Sequence, residues 1–265
     1  MTQENAYGLA GQVCVVTGGA SGIGRGIALA FAREGARVAV LDVDESGAAE
    51  TVRLADEAGA EGVAIRCDTA DPQSIDAARR AVEARFGAVG VLVNNAGILG
   101  RGGPLMDLPV ADWDRLMNIN LRGYFLCAQA FGGQMTRRGS GAIVNVVSIT
   151  AETALPNSGN YGIAKAGAAM MTKLLAAELG PHGVRCNAVH PGIIQTALNQ
   201  ASFADPAIAA HRNRSVPMGR VGQPRDIAEA VLFLASPRAG YVNGAELLVD
   251  GAIRQGLLAL ASKPS

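Results

Sequence analysis

A serine, a tyrosine and a lysine stand at a spacing that suits proton transfer to and from a hydroxyl or carbonyl group. Tyr161 and Lys165 lie 13 and 17 residues after Ser148, and four apart from each other. On a helix such a pair shares one face, so the Lys165 ammonium reaches the Tyr161 ring. A free phenol titrates near ~10, and it acts as a base at neutral pH only where positive charge favours the phenolate. Lys165 is the source of that charge. Ser148 closes an apolar run and can hold the reacting oxygen in line. Each residue alone has a plainer use, Tyr161 in packing and Lys165 as a solvated helix charge, but the three together favour acid/base catalysis.

A second constellation begins at Thr17-Gly18-Gly19-Ala20-Ser21-Gly22-Ile23-Gly24, between an apolar run and a helical pattern. Glycines at a strand-to-helix turn let backbone N–H groups and the helix dipole approach a pyrophosphate unobstructed. Asp42 follows Gly24 by 18 residues and ends the next apolar run, where a dinucleotide fold places the acid that accepts from the adenosine ribose hydroxyls.

The elements that must position these residues read as strands at 13–17, 37–41, 62–67, 89–93, 142–147, 184–189 and 246–249. Helical patterns fall at 23–34, 45–58, 72–86, 110–137, 159–179 and 225–235. Strand runs are nearly continuous in apolar residues, as in a parallel sheet covered on both faces. The alternation predicts an α/β fold, one doubly wound Rossmann-type domain with about seven parallel strands and helices on both faces. The whole chain, 1–265, reads as that one domain, with a core at about 9–251 and a tail at 252–265. Ligands in such folds sit beyond the carboxyl ends of the strands.

The pattern Gly18-x-x-x-Gly22-x-Gly24 resembles the short-chain dehydrogenase/reductase family. The likeness continues in Asn94-Asn95-Ala96-Gly97, in Asn120, in Ser148, in Tyr161-x-x-x-Lys165 and in Pro191-Gly192-Ile193-Ile194-Gln195-Thr196, in family order from about Leu9 to Gly251. The resemblance implies a catalytic set of Asn120, Ser148, Tyr161 and Lys165, with Asn120 holding a water that links Lys165 to solvent. It implies a nicotinamide dinucleotide bound by Gly18, Ser21, Gly22, Ile23, Gly24, Asp42, Asp68, Thr69, Asn95, Ala96, Gly97, Tyr161, Lys165, Pro191, Gly192, Ile194 and Thr196. Asp68 and Thr69 would flank the adenine, and Ile194 and Thr196 the carboxamide. Two departures stand out: Ala252 where the family usually has a second glycine, which touches packing or assembly, and His190 before Pro191, read as capping a strand end.

These readings predict an oxidoreductase moving hydride between NAD(H) and a secondary alcohol or ketone. Asp42 argues against the alternative, an NADPH-dependent 3-oxoacyl-thioester reductase; an intact catalytic set argues against a silent nucleotide sensor or scaffold on this fold. Apolar residues (Ile98, Leu99, Ile149, Thr150 beside them, Leu155, Ile193 and much of 197–217) predict a substrate with hydrocarbon surface; Arg101, His211, Arg212 and Arg214 read as solvated loop charges. Acidic and basic residues balance at 23 each, which offers no field for nucleic acid or a membrane surface. No membrane span or signal pattern is present, so the expected location is cytoplasmic. Cys14, Cys67, Cys127 and Cys186 read as buried free thiols, and the scattered histidines predict no metal. Small residues at 164–177 let another helix approach closely, and the resemblance implies a homodimer or homotetramer joined there.

Overall fold

The computed structural model describes residues 6–196 and 204–256. Seven parallel strands form one sheet: β1 (Val13–Thr17), β2 (Arg37–Asp42), β3 (Gly62–Arg66), β4 (Val91–Asn94), β5 (Gly141–Val146), β6 (Val184–Pro191) and β7 (Glu246–Val249). Their spatial order is β3-β2-β1-β4-β5-β6-β7, so the direction of winding reverses between β1 and β4. The helices are α1 (Gly22–Arg33), α2 (Glu45–Glu57), α3 (Pro72–Phe86), α4 (Val110–Met117), α5 (Gly123–Arg138), α6 (Tyr161–Leu179), α7 (Pro206–Ser215) and α8 (Pro224–Ala235).

Alternation along each strand divides the core in two. Cys14, Val16, Val38, Val40, Val91, Val93 and Val144 pack against α1 and α8 on one face, with part of α2. Val13, Val15, Ala39, Leu41, Leu92 and Ile143 meet α3 and α5 on the other. Each valine, leucine or isoleucine among them, removed from water, contributes about 1.5–3 kcal/mol, which explains why β1 admits no polar residue before Thr17. All four cysteines are buried and free.

Helix starts follow the sequence closely. Asp44, Asp71 and Asp205 cap α2, α3 and α7 by accepting from the amides of Gly47, Gln73 and Ala207. Pro72, Pro206 and Pro224 open their helices, where a missing N–H costs nothing. Arg185 donates to the carbonyls of Leu234, Ala235 and Ser236, closing the carboxyl end of α8.

Two differences from the sequence reading matter. The single helix expected at 110–137 is α4 and α5 joined through a π-helical turn, Asn118–Arg122, that shifts the register at Asn120. Helix α7 stands inside the expected 197–217 loop, whose part 197–203 lies outside the described residues, as does 257–265 of the expected tail. Among the described residues, no helix is long and apolar enough to cross a membrane.

Candidate active site

A cleft of about 800 Å³ opens at the carboxyl ends of the strands, where the winding reverses. Every residue expected to hold the dinucleotide lines it except Gly22. Gly22 sits in the same loop with φ +54°, a conformation that glycine adopts without strain.

The glycine loop is a cradle that side chains would fill. A Cβ on Gly18, whose φ is +65°, would lie 2.7 Å from the Cα of Ala96, and one on Gly24 would lie 2.1 Å from the carbonyl oxygen of Gly18. Thr17, the last residue of β1, locks this loop to the next one. Its Oγ1 accepts from the amides of Asn95 and Ala96 at 3.0 and 3.1 Å. Asn95 Nδ2 returns the link by donating to the carbonyls of Thr17 and Gly18, each at 3.0 Å. Ser21 precedes α1 without a side-chain capping bond, which leaves the first-turn amides to an anion.

Asp42 stands at the end of β2 on the cleft wall, accepting from the amide of Ala20 at 2.9 Å and from that of Asp44 at 3.0 Å. Neither nearby arginine answers it. Arg25 is bound to Thr51 Oγ1 and to the carbonyls of Ala20 and Gly47, and Arg37 to those of Gly11 and Phe86.

Ser148, Tyr161 and Lys165 meet on the opposite wall. Ser148 follows β5, and its Oγ accepts from the amide and hydroxyl of Thr150 at 3.1 and 2.9 Å. Tyr161 opens α6; burial raises its pKa above the ordinary phenol value, and a hydrogen bond with Ser148 opposes that rise. The Lys165 ammonium lies 5.8 Å from the centre of the Tyr161 ring. Burial brings its pKa down to about 7.

Asn120 stands behind this wall, fully buried in the π-helical turn. Its Oδ1 accepts from the amide of Ile98 and its Nδ2 donates to the Ile98 carbonyl, at 2.9 and 2.8 Å. The side chain thus clamps the segment that carries Ile98 and Leu99 into the cleft. Lys165 itself donates to Tyr124 Oη and to the Val146 carbonyl, both at 2.9 Å.

His190 does more than cap a strand. It is fully buried, and its Nδ1 lies 3.0 Å from the Ser148 carbonyl. Nearby Glu152 and Glu246 complete a cluster, with Arg254 paired to Glu152 and Lys173 2.6 Å from Glu246. These contacts span 38 to 102 residues of sequence, so no local spacing announces them.

The residues present fit a nicotinamide dinucleotide: a loop closed to side chains, an acid at the end of β2, and a buried ammonium beside a phenol. Of the expected substrate-side residues, Ile98, Leu99 and Ile193 line the cleft. Ile149 and Ile193 pack against Val216, Val221 and Ile253.

Comparison with known proteins agrees with this geometry. A family profile described as Enoyl-(Acyl carrier protein) reductase matches residues 18–253. The chain is 43% identical over 246 residues to D-threitol dehydrogenase of Mycolicibacterium smegmatis, covering 92% of this chain and 94% of that one. A solved structure of xylitol dehydrogenase bound to NAD+ superposes with a TM-score of 0.87 at 30% identity, over 92% of this chain and 99% of the other. A putative 2-deoxy-D-gluconate 3-dehydrogenase of Agrobacterium tumefaciens with bound NADP gives 0.86 at 35%, over 95% of this chain and 100% of the other.

Proposed function

The chain belongs to the short-chain dehydrogenase/reductase family, and on that premise we propose how its cleft works: it moves hydride between NAD(H) and a secondary alcohol or its ketone, with Tyr161 as general acid/base. It is an oxidoreductase of alcohols. The observation that carries the proposed mechanism is the meeting of Ser148, Tyr161 and Lys165 in one cleft with the glycine loop and Asp42.

The bound nicotinamide supplies the hydride acceptor or donor and, when oxidised, a positive charge beside the phenol. The chain supplies the rest. Ser148 Oγ, its two acceptor sites filled by the Thr150 amide and hydroxyl, donates to the substrate oxygen and fixes its direction. Tyr161 takes the hydroxyl proton in oxidation and returns one in reduction. Lys165 binds the ribose and holds positive charge near the phenol, which counters the burial that raises Tyr161. Asn120 fixes the Ile98 segment through both of its side-chain groups; the water that would link Lys165 to solvent is assigned to it by the family resemblance alone.

Asp42 makes NAD the preferred dinucleotide, because an additional phosphate on the adenosine ribose meets a carboxylate, while Arg25 and Arg37 are engaged elsewhere. Ile98, Leu99 and Ile193 favour a substrate with hydrocarbon surface beside its hydroxyl. Ile163, Met170 and Leu174 leave an exposed apolar face on α6, which supports a homodimer or homotetramer. Of the small residues that first suggested assembly, Ala164, Ala168 and Ala169 pack inside the subunit.

A panel of alcohols and ketones with each nicotinamide, read at the absorbance of the reduced cofactor, tests this function. Secondary alcohols oxidised with NAD are the expected result. Turnover confined to 3-oxoacyl thioesters with NADPH would replace it.

A further inference from the structure

Lys165 has an inner partner that neither the glycine loop nor the catalytic set accounts for. Tyr124 lies on α5, is 1% exposed, and brings its hydroxyl to the ammonium at 2.9 Å while donating to the Val146 carbonyl at 2.8 Å. Its ring packs with Val147, Ala168, Ala169 and Ala188, so the hydroxyl has a fixed place. The same Val146 carbonyl accepts from Lys165 at 2.9 Å. An ammonium carries three N–H groups, and two of them are directed inward by this pair.

We propose that Tyr124 is a positioning residue for Lys165: its hydroxyl, with the Val146 carbonyl, receives two N–H groups, keeps the buried amine charged and aims the third N–H at the cleft.

The need for such a partner follows from burial. Lys165 is 3% exposed and has no ion-pair partner among the described residues. The titratable groups around it are Tyr161 on its own helix and Tyr124 on α5, with Cys127 one turn beyond Tyr124, and all are neutral at pH 7 because burial raises each. Hydrogen bonds to its charged form are therefore what opposes desolvation. Removing the Tyr124 hydroxyl takes one away. The lysine then loses its proton at lower pH, and its charge near Tyr161 persists over a narrower pH range.

This inference rests on the catalytic reading of Lys165 and Tyr161, so its test includes a measurement that needs no turnover. The chain has three lysines, Lys165, Lys173 and Lys263, and isotopically labelled lysine gives one resolvable titration for each in nuclear magnetic resonance. Lys173→Arg removes one resonance and aids assignment. In the wild type the Lys165 midpoint is expected at about 7. In Tyr124→Phe it falls by about one pH unit, the scale of one hydrogen bond to a charged group. The part of kcat/KM for alcohol oxidation that depends on the charged lysine is lost at correspondingly lower pH. Tyr124→Phe removes a single oxygen; if it does not fold, Tyr124→Met, also without a hydroxyl, takes its place. An unchanged lysine midpoint with a uniform drop in turnover at every pH would make Tyr124 a packing residue and overturn the proposal. A shifted midpoint in a protein that oxidises no alcohol would uphold the contact and overturn the catalytic reading instead.

Discussion

Asp42 and Ala20 are joined by a hydrogen bond of 2.9 Å, from the amide of the glycine loop to the carboxylate at the end of β2. The second carboxylate oxygen accepts from Asp44, where α2 is about to begin. The acid therefore belongs to the phosphate loop as much as to the strand. Each oxygen keeps a further lone pair for a ribose hydroxyl. Its charge is fixed in place before any ligand arrives.

Cofactor choice is the first consequence. NAD is expected to exceed NADP by at least about a hundredfold in kcat/KM, equivalent to roughly 2.7 kcal/mol. Asp42→Ala should narrow the gap by removing the repulsion, and adding Ser21→Arg should narrow it further by supplying a cation. Because Asp42 also binds the Ala20 amide, Asp42→Asn is the gentler variant, neutral yet able to accept that bond. Steady-state kinetics with both nicotinamides decide the matter; equal wild-type efficiencies would remove Asp42 from the ribose.

Tyr161→Phe should lower turnover by roughly two to four orders of magnitude while binding of NADH, followed by fluorescence, changes little. Burial holds the phenol above its usual pKa, so it is protonated at neutral pH before the ligands arrive. Alcohol oxidation needs the phenolate and should climb with pH, whereas ketone reduction needs the phenol and should fall. Near-normal turnover in the variant would assign the proton to another group.

How much of this was legible in the sequence depends on how local each contact is. The strands were, since burial on both faces writes itself as unbroken runs such as Val13–Thr17. So was the glycine loop, whose function lies in consecutive residues. Helix α7 was missed because it buries no residue and thus has no apolar stripe, although Asp205-Pro206 gives a proper start signal. The π-helical turn at Asn120 is a change of backbone register that no periodicity displays. Tyr124 and His190 act through partners 41 and 42 residues away, and only the fold pairs them.

Lys165 should cost the unliganded protein stability. Its folded pKa, about 7, lies below the ordinary lysine value near 10.5. Between those values the unfolded chain holds a proton that the folded chain has released, so this group makes stability rise with pH across that window. Below pH 7 both states are protonated and the full penalty applies, at most roughly 4–5 kcal/mol. Lys165→Met keeps apolar bulk and leaves Tyr124 still donating to Val146. Urea unfolding at neutral pH should find this variant more stable than the wild type, with the difference shrinking as pH approaches 10. It should also be inactive and bind NADH weakly. A variant less stable at every pH would contradict the buried charge.

Ala252 offers a test on the far side of the chemistry. It occupies the place where the family usually has glycine, and its φ is +67°, a left-handed conformation. A Cβ there presses on the following carbonyl at a cost of about 1–2 kcal/mol. The turn is nonetheless held, because the Ala252 amide donates to Asp250 Oδ1 at 2.9 Å and its carbonyl accepts from Gly256. The methyl group is exposed, so removing it forfeits no packing. Ala252→Gly relieves the strain but adds freedom to the unfolded chain, which takes back about 0.5–1 kcal/mol. The net gain is then about 0.5–1 kcal/mol, a rise of roughly 1–4 °C in Tm at fixed protein concentration. Ala252→Val should move Tm down, since a β-branched residue tolerates this backbone least. Activity should stay level in the glycine variant. A lower Tm for Ala252→Gly than for the wild type would show that the alanine is not strained and that its departure from the family pattern is conformationally neutral.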